Sequence, residues 1–374
     1  MGLLNRLFGD GLPSALKQTI ESRLSQLTLP YMSQDLISAQ QISDIQFKQG
    51  KLQLNVVWPY PAKQLQTEFE QQLRQALNDL TDITDLTIHH QLKVTSHQTQ
   101  PNVNALAQTK NIIAVASGKG GVGKSTTSIN LALALQQEGA QVGILDADIY
   151  GPSVPTLLGL KGKPETLDGK SMQPMQAYGL QAMSIGFLIE EDAPMIWRGP
   201  MVTQTLTQLL RETAWQNLDY LIIDLPPGTG DVQLTLAQQI PVTGAVIVTT
   251  PQDLALIDAK KALKMFEKVN IPVLGVIENM STHICSQCGH EEAIFGEHGG
   301  ENMAAQYGVE FLGAMPLDMQ IRLQADVGAP TVVHDPQSAL ANKYRQMAHK
   351  ISASIAQAKR NYSAAFPKIV VQNT

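Results

Sequence analysis

The sequence contains very little cysteine: Cys285 and Cys288 are the only two in 374 residues. A secreted protein held together by disulfides would normally contain more, so a disulfide framework is not expected. Two thiols at this close spacing instead indicate metal or redox chemistry.

Long apolar runs and an excess of positive charge are also missing. No apolar run approaches the ~20 residues that cross a bilayer, and the first residues lack the pattern of a signal peptide. We therefore expect a cytosolic protein without membrane contact. A net charge of −6 argues against nonspecific binding of nucleic acid as the main activity, although it is compatible with a local basic patch.

Length and one change in composition predict the domain organisation. At ~100–200 residues per domain, the chain corresponds to two or three domains. Residues 97–110 are rich in Gln, Asn and Thr without an apolar period, which predicts a linker. This linker separates a first domain over residues 1–96 from a larger one over residues 111–360, and residues 361–374 form a tail.

The first domain is predicted to be a small α+β module. Alternating apolar residues on both sides of the turn "KQGK" indicate a hairpin, and "DLTIHHQLKV" supplies a third strand. A helix is predicted around residues 12–27 and another over residues 65–80. The apolar residues of the second helix recur at a spacing of four and are Leu65, Phe69, Leu73 and Leu77.

The larger domain has the alternation of a parallel α/β fold. Short apolar runs are separated by helical patterns, which is typical of βαβ units. These runs are "NIIAVAS", "QVGILD", "YLIID", "GAVIVTT", "PVLGVIE" and "EFLGAMP". We predict an α/β fold with a mostly parallel sheet flanked by helices, preceded by the small α+β domain. The motif "GKGGVGKS" after the first of these runs makes the predicted fold that of a P-loop NTPase.

A phosphate-binding loop is predicted directly after the first of these strands. The sequence "GKGGVGKS" matches G-x-x-x-x-G-K-[ST] and precedes a helical run. Backbone N–H groups and the helix N-terminus would surround an anion, Lys124 would contact the β and γ phosphates of ATP, and Ser125 would bind Mg²⁺. The predicted binding residues are Gly118, Lys119, Gly120, Gly121, Val122, Gly123, Lys124, Ser125 and Thr126. The alternative is a glycine-rich turn that binds nothing.

Carboxylates at the ends of two later strands complete a magnesium nucleotide site. Asp224 ends its strand in Walker B position and would hold Mg²⁺ through water, while Asp146 or Asp148 would bind the metal shell or orient the attacking water. Gly228, in a Pro-Pro-Gly turn, could present its N–H to the γ phosphate. In the structural alternative, Asp146 and Asp231 only cap the helices that follow them.

Three motifs together carry a family resemblance. "KGGVGKST", "DADIYGPS" and "DLPPGTGD" resemble the deviant-Walker ATPases, which include cell-division and chromosome-partition ATPases and the nitrogenase iron protein. The resemblance implies that Lys119 reaches across a face-to-face homodimer to the phosphates of the partner subunit. It would then act with Lys124 and Asp148 in slow, Mg²⁺-dependent hydrolysis. The alternative for Lys119 is a solvated loop lysine.

Within that group, residues 111–335 are similar to the Mrp/ApbC type of iron-sulfur cluster carrier. The marks are "DADIYGPSVP", "MSIGFL", "WRGPMV", "DYLIIDLPPGTGD" and "ENMS" followed by the two cysteines. The first domain is similar to the small iron-sulfur assembly domain that often precedes this ATPase. The resemblance implies a carrier that takes a cluster from an assembly scaffold and transfers it to apo iron-sulfur proteins.

The cysteine pair leaves several kinds of site open. Two thiolates are too few for a tetrahedral site or a cubane cluster, but two copies of Cys285 and Cys288 across a symmetry axis could hold one [4Fe-4S] cluster. Alternatively, His290 and His298 could complete a zinc site within one chain. A redox disulfide and thiols without chemical function are the remaining interpretations.

Asn279 follows the strand "PVLGVIE", where related ATPases use an asparagine amide to read the adenine edge; it could instead cap the strand end.

Two other function classes share parts of the pattern. A ParA/MinD-like positioning ATPase would end in a basic amphipathic helix, and the helix over residues 339–360 has an apolar stripe with basic neighbours. A reductase similar to the nitrogenase iron protein would take its cysteines from two loops, whereas this chain has one paired motif.

Overall fold

The computed structural model describes residues 12–97, 103–189, 199–285 and 287–359. By their contacts, these residues form two compact units. The small unit contains the described residues up to Val94 together with Gln137–Gly139 and Ser352–Gln357, and the large unit contains the rest. The predicted tail over residues 361–374 lies outside the described residues.

The small unit contains a three-stranded sheet and two helices. Its elements are α1 (Ser14–Leu24), β1 (Ile42–Lys48), β2 (Lys51–Trp58), α2 (Leu65–Leu77) and β3 (Asp85–Leu92). β1 and β2 form the predicted antiparallel hairpin, and β3 pairs parallel to β2. Gln49 and Gly50 both have positive φ, which is the backbone geometry that a two-residue hairpin turn requires.

One core supports this unit. Every second residue of β2 points inward, and α2 buries Phe69, Leu73 and Leu77 on one face, as the spacing predicted. Trp58 is fully buried, with its ring edge-on to Phe69 at a centroid distance of 5.6 Å. The helix and the sheet therefore share an apolar interface.

The large unit is built on a mostly parallel eight-stranded sheet. Its strands are β4 (Thr109–Ala116), β5 (Val142–Asp146), β6 (Met175–Ala177), β7 (Leu180–Ser184), β8 (Leu218–Asp224), β9 (Gly244–Thr249), β10 (Val273–Glu278) and β13 (Phe311–Ala314). The order across the sheet is β13-β10-β9-β4-β8-β5-β7-β6, and only β6 runs antiparallel to its neighbour. A separate two-stranded ribbon contains β11 (His283–Ile284) and β12 (Glu291–Glu292). The mostly parallel sheet confirms the predicted fold class.

Helices connect these strands. They are α3 (Lys124–Gln137), α4 (Val154–Leu157), α5 (Gly199–Glu212), α6 (Asp231–Gln239), α7 (Asp253–Lys268), α8 (Gly299–Tyr307), α9 (Met319–Asp326), α10 (Thr331–His334) and α11 (Ala339–Ala356). The central strands are buried on both faces, and all seven residues of β8 are buried. Strands covered on both faces read as continuous apolar runs, which is why the sequence predicted them.

The hairpin of β6 and β7 was missed by the sequence analysis. Tyr178 and Gly179 both have positive φ and make a tight turn between two short strands. β4 also begins at Thr109, within the segment expected to be linker. The strands of the hairpin are too short for a clear period, and the start of β4 at Thr109 depends on pairing with the remote strand β8, which local periodicity does not report.

The basic residues near the apolar stripe of α11 make contacts within the large unit. Tyr344, Met347 and Ile351 are buried, while Lys343 and Lys350 donate hydrogen bonds to backbone carbonyls of β13. These contacts favour a packed helix over a membrane-binding one. Among the helices of the described ranges, none combines the length and apolar character that crossing a bilayer requires.

The core of the small unit generates a stability prediction. Leu73→Ala should destabilise this unit by about 2–5 kcal/mol, because a fully buried leucine leaves a cavity when truncated. Amide hydrogen exchange in β1–β3 should accelerate accordingly. Gln72→Ala, at the exposed neighbouring position of α2, is the control and should leave exchange unchanged; equal protection in both variants would contradict the packing.

Candidate functional site

The carboxyl ends of the parallel strands gather the predicted site residues. β5 and β8 pair so that Asp146 lies opposite Asp224 at the ends of the two strands. β4 lies next to β8 and leads into the phosphate loop, and β10 ends beside β9 at Glu278. Ligands of open α/β sheets bind at this edge, and all the predicted nucleotide residues follow strands that end there.

Glycine is required in the loop for two different reasons. Gly121 and Gly123 have φ of +81° and +82°, a backbone region that other residues rarely adopt. Gly118 instead lies against α7, where a Cβ would be 2.1 Å from the backbone carbonyl carbon of Asp258. The loop is therefore pressed onto a helix and ends directly at Lys124, the first residue of α3.

A buried ion pair lies beneath the loop. Lys124 Nζ is 2.8 Å from Asp224 Oδ1, and the two side chains are 6% and 0% exposed. Ser128 Oγ, one turn along α3, donates to the same carboxylate oxygen at 2.6 Å. Lys124 Nζ also donates to Ser125 Oγ at 3.3 Å. The Walker-type lysine, the hydroxyl predicted to bind Mg²⁺ and the strand-end carboxylate thus form one cluster.

This cluster has the donor set of a magnesium site. Asp224 Oδ2 is buried and has no hydrogen-bond partner within the described part of the chain. An unpartnered buried carboxylate oxygen is costly, and Mg²⁺ prefers hydroxyl and carboxylate oxygens or waters held by them. Asp224 and Ser125 therefore fit the ion.

Asp146 organises the segment that follows β5. Its Oδ2 accepts hydrogen bonds from the backbone N–H groups of Ser153 and Val154 and from Ser184 Oγ, at 2.9–3.0 Å. Its Oδ1 accepts the N–H of Asp148 at 3.1 Å. Burial, reinforced by the charge of Asp224, raises the pKa of Asp146 to about 7. Asp146 thus caps the start of α4, as in the structural alternative, and also holds the backbone of Asp148.

Asp148 and Lys119 differ in exposure. Burial is the main cause that raises the pKa of Asp148, while Lys124 opposes the rise and Asp224 adds to it. A carboxylate with a raised pKa accepts a proton more readily. The side chain of Lys119 is exposed, whereas its backbone carbonyl accepts a hydrogen bond from Ser117 Oγ at 2.9 Å. The loop backbone is fixed and the second lysine projects from it.

Two residues predicted to face the nucleotide contact the loop itself. The N–H of Gly228, expected to reach a γ phosphate, donates to Ser117 O at 2.9 Å. Asn279, expected to read adenine, is buried and donates from Nδ2 to Val122 O at 2.9 Å. Gly228 has a single N–H, which would have to exchange or share this partner to contact a nucleotide. The amide of Asn279 has a second N–H and an acceptor oxygen, so it can keep the bond to Val122.

Cys285 and Cys288 lie on the loop between β11 and β12. The N–H of Cys285 donates to His290 O, and the N–H of Gly289 donates to Cys285 O, both at 2.8 Å. Cys288 is exposed and Cys285 is partly exposed. Hydrogen bonds from the backbone N–H groups of Cys288 and Gln287 lower the pKa of the Cys285 thiol. The turn therefore raises the fraction of thiolate at Cys285, and thiolate is the form that ligates metals.

No further ligand joins the two thiols. Within the described ranges, no group of three or more His, Cys, Asp or Glu side chains is arranged to hold a metal ion. His298 Nδ1 instead contacts Glu301 Oε2 at 2.8 Å. The zinc site of Cys285, Cys288, His290 and His298 considered from the sequence is therefore not assembled in one chain.

Two models of known protein families match this chain. A family model described as NUBPL iron-transfer P-loop NTPase matches residues 108–352, and a model of iron-sulfur cluster assembly proteins matches residues 17–89. This chain belongs to the NUBPL iron-transfer P-loop NTPase family. The predicted resemblance is confirmed for both parts of the chain.

The names of similar proteins agree with this family. An iron-sulfur cluster carrier protein of Escherichia coli is 48% identical over 350 residues, covering 92% of this chain and 93% of that protein. One from Pseudomonas fragi is 56% identical over 278 residues, covering 74% of this chain and 97% of that protein. The iron-sulfur cluster transfer protein NUBPL of mouse is 49% identical, covering 67% and 79%.

Solved structures agree with the fold. A nucleotide-binding protein from Archaeoglobus fulgidus, in complex with ADP, has a TM-score of 0.53 and 39% identity, covering 62% of this NTPase and 90% of that chain. The cell division ATPase MinD of Pyrococcus furiosus has a TM-score of 0.50 and 23% identity, covering 64% and 98%. The second comparison supports the fold alone.

Sequence analysis missed three supporting residues. Ser184 bonds Asp146, Ser128 bonds Asp224, and buried Glu278 accepts the N–H of Gly300 at 2.5 Å. Ser128 could have been found, because it lies four residues after Lys124 on the same helical face. The partners of Ser184 and Glu278 are remote in sequence, so no local pattern reports them.

The contact between the loop and α7 predicts a difference between two glycines. Gly118→Ala should lower the thermal midpoint of the large unit, since overpacking costs about 1–3 kcal/mol and each kcal/mol corresponds to about 2–4 °C in a domain of this size. Gly120→Ala is the matched control, because its Cβ would meet only Pro227 Cγ at 3.8 Å. Equal midpoints for the nucleotide-free variants would contradict the close approach.

Proposed function

We propose that this protein is an ATP-hydrolysing carrier that holds a [4Fe-4S] cluster between two copies of the chain and delivers it to apo-proteins. The observation that carries the proposal is a pair of solvent-accessible thiols, one exposed and one partly exposed, without a third ligand in the described ranges. They lie on a loop that starts where β10 meets the phosphate loop. The names of the relatives point in the same direction.

ATP would bind over the loop by replacing the partner of Lys124. Phosphate oxygens offer this lysine the charge that Asp224 Oδ1 provides in the ion pair. Ser125 Oγ and Asp224 Oδ2 would hold Mg²⁺, which supplies positive charge that offsets the charge developing on the phosphates during transfer. The N-terminus of α3 faces the same position and favours an anion.

Hydrolysis would use Asp148 and the second lysine. Asp148 orients the attacking water and accepts its proton as the oxygen bonds to the γ phosphorus and the bond to the bridging oxygen of ADP breaks. Lys119 of one copy reaches the phosphates held by the other copy and stabilises the developing charge. Its exposed side chain on a fixed backbone is compatible with such a contact.

The cluster is cargo, held by four thiolates across a symmetry axis. Cys285 and Cys288 from each of two copies give the four ligands that a [4Fe-4S] cluster takes. The lowered pKa of Cys285 raises the fraction of its thiol that is ionised, and the exposure of Cys288 and partial exposure of Cys285 leave room for thiols of a recipient to displace them. An assembly scaffold would donate the cluster and apo iron-sulfur proteins would receive it.

Lys119 and Lys124 can be tested by complementation. Lys124→Ala should abolish nucleotide binding, and Lys119→Ala should abolish hydrolysis. A one-to-one mixture should recover about a quarter of the wild-type rate, because about half of the dimers are mixed and each has one complete site. Hydrolysis is measured as phosphate release.

Lys163→Ala, at an exposed lysine outside the site, is the control for lost charge and should retain the full rate. A mixture that stays as inactive as its components would show that Lys119 acts within its own chain. Full nucleotide binding by Lys124→Ala would refute the phosphate site.

The cluster ligands can be tested by anaerobic reconstitution. Cys285→Ala with Cys288→Ala should retain nucleotide binding but no iron or sulfide, whereas the wild type should bind about four of each per dimer. Iron, sulfide and zinc analysis together with the mass in solution provide the measurement.

His290→Ala and His298→Ala serve as matched controls. Both should keep the wild-type iron and sulfide content if the thiols are the only ligands from each chain. Zinc in the wild type that disappears in these variants would favour the single-chain zinc site, and a metal-loaded monomer would overturn the shared cluster.

A further inference from the structure

The end of β10 lies between the two sites and is bonded to both sides. Asn279, the first residue after the strand, donates its side-chain N–H to Val122 O in the phosphate loop at 2.9 Å. Its backbone N–H donates to Thr249 O at 2.7 Å, so the main chain is anchored to β9 at the same residue. Asn279 Nδ2 also lies against Gly123, where a Cβ would be 2.2 Å away. The amide is therefore in direct contact with the loop at two successive residues, Val122 and Gly123.

From Asn279, a hydrogen-bonded segment leads to the first thiol. Met315 N–H donates to Glu278 O at 2.8 Å, Ser281 N–H donates to Met315 O at 2.9 Å, and Leu317 N–H donates to Thr282 O at 2.7 Å. These bonds continue the pairing of β10 with β13 beyond the sheet. His283, which lies two residues before Cys285, then forms a β-bridge with Leu317. The root of the thiol loop is thus an extension of the sheet.

The outgoing and returning arms of the loop are also joined. Thr282 Oγ donates to Glu291 Oε1 at 2.6 Å, next to the pairing of His283 with Glu292. At the base, buried Glu278 accepts the N–H of Gly300 at the start of α8 at 2.5 Å. The thiol loop is consequently braced at its base and at its middle, which limits its motion relative to β10.

We propose that Asn279 is a positioning residue that couples nucleotide binding to the geometry of the thiols within one chain. Val122 moves when the loop closes on phosphates, Asn279 follows it, and the braced segment carries the displacement to Cys285. This inference rests on the proposed function, because it requires both a nucleotide in the loop and thiols that bind cargo. It adds a route that does not depend on the dimer interface.

Reading the adenine base and linking the two sites are two different roles for the amide of Asn279, and they can be measured separately. A residue that reads adenine changes the preference for adenine over guanine nucleotides, whereas a residue that links two sites changes the effect of one on the other. Spatial position alone does not demonstrate coupling, so the effect itself has to be measured. Both roles can be scored in one set of variants.

The test uses the metal-free full chain, whose two cysteines both lie in the site and so report on it alone. Iodoacetamide labelling is followed by mass spectrometry with and without saturating Mg-ADP, at a concentration where light scattering shows a monomer. In the wild type we expect ADP to slow labelling about fivefold, the low end of coupling between two sites. In Asn279→Ala the two rates should be equal.

Asn302→Ala is the matched control, because Asn302 is an exposed asparagine on α8 after the loop; it should behave like the wild type. Thr282→Val removes the hydroxyl bond to Glu291 at the far end of the segment. It should bind ADP like the wild type and show a reduced ADP effect on labelling. This variant decides the matter if Asn279→Ala has a lowered thermal midpoint or fails to bind ADP.

The outcomes separate this inference from the proposed function. Full ADP protection of the thiols in both Asn279→Ala and Thr282→Val would overturn the coupling, and a loss of ADP-over-GDP preference alone would assign Asn279 to base reading. A wild type that binds ADP and a cluster without any ADP effect on labelling would also overturn it. A wild type that binds no iron and sulfide would refute the carrier proposal instead.

Discussion

The arrangement at the carboxyl edge of the large sheet depends on one buried ion pair, between Lys124 and Asp224. Two charges removed from water are tolerated only because each is paired and further hydrogen-bonded, here by Ser128. Removing one partner of such a pair typically costs about 3–5 kcal/mol. Lys124, the lysine proposed to contact phosphates, is therefore held in place by this pair.

The same constraint accounts for the acidic residues around the pair. Asp146 is brought beside Asp224 by the register of β5 and β8, and burial together with the charge of Asp224 raises the pKa of Asp146. The donors from Asp148, Ser153, Val154 and Ser184 offset that repulsion and, as a result, fix the segment after β5. The same hydrogen bonds therefore compensate the charge repulsion at Asp146 and position Asp148.

Much of this arrangement was predictable because its signals are local. Buried strands read as apolar runs, and the phosphate loop has glycines at the positions with φ near +80°. What could not be predicted lies in contacts between remote segments. Examples are the hydrogen bonds that Gly228 and Asn279 donate to the backbone of the loop; the contacts of these two residues with a nucleotide stay a prediction. The β6–β7 hairpin has strands of three and five residues, too short for their period to stand out.

The two edge strands of the large sheet, β6 and β13, determine whether a second copy of the chain can add a strand to it. The edge strand β6 has only three residues and pairs antiparallel with β7, so few of its backbone N–H and C=O groups are left unpaired. At the opposite border, carbonyls of β13 accept lysine ammonium groups from α11. Short or covered borders disfavour growth of a sheet by strand addition from another molecule. Within the described residues, both borders of this sheet are therefore poor templates for a strand from a second copy of the chain.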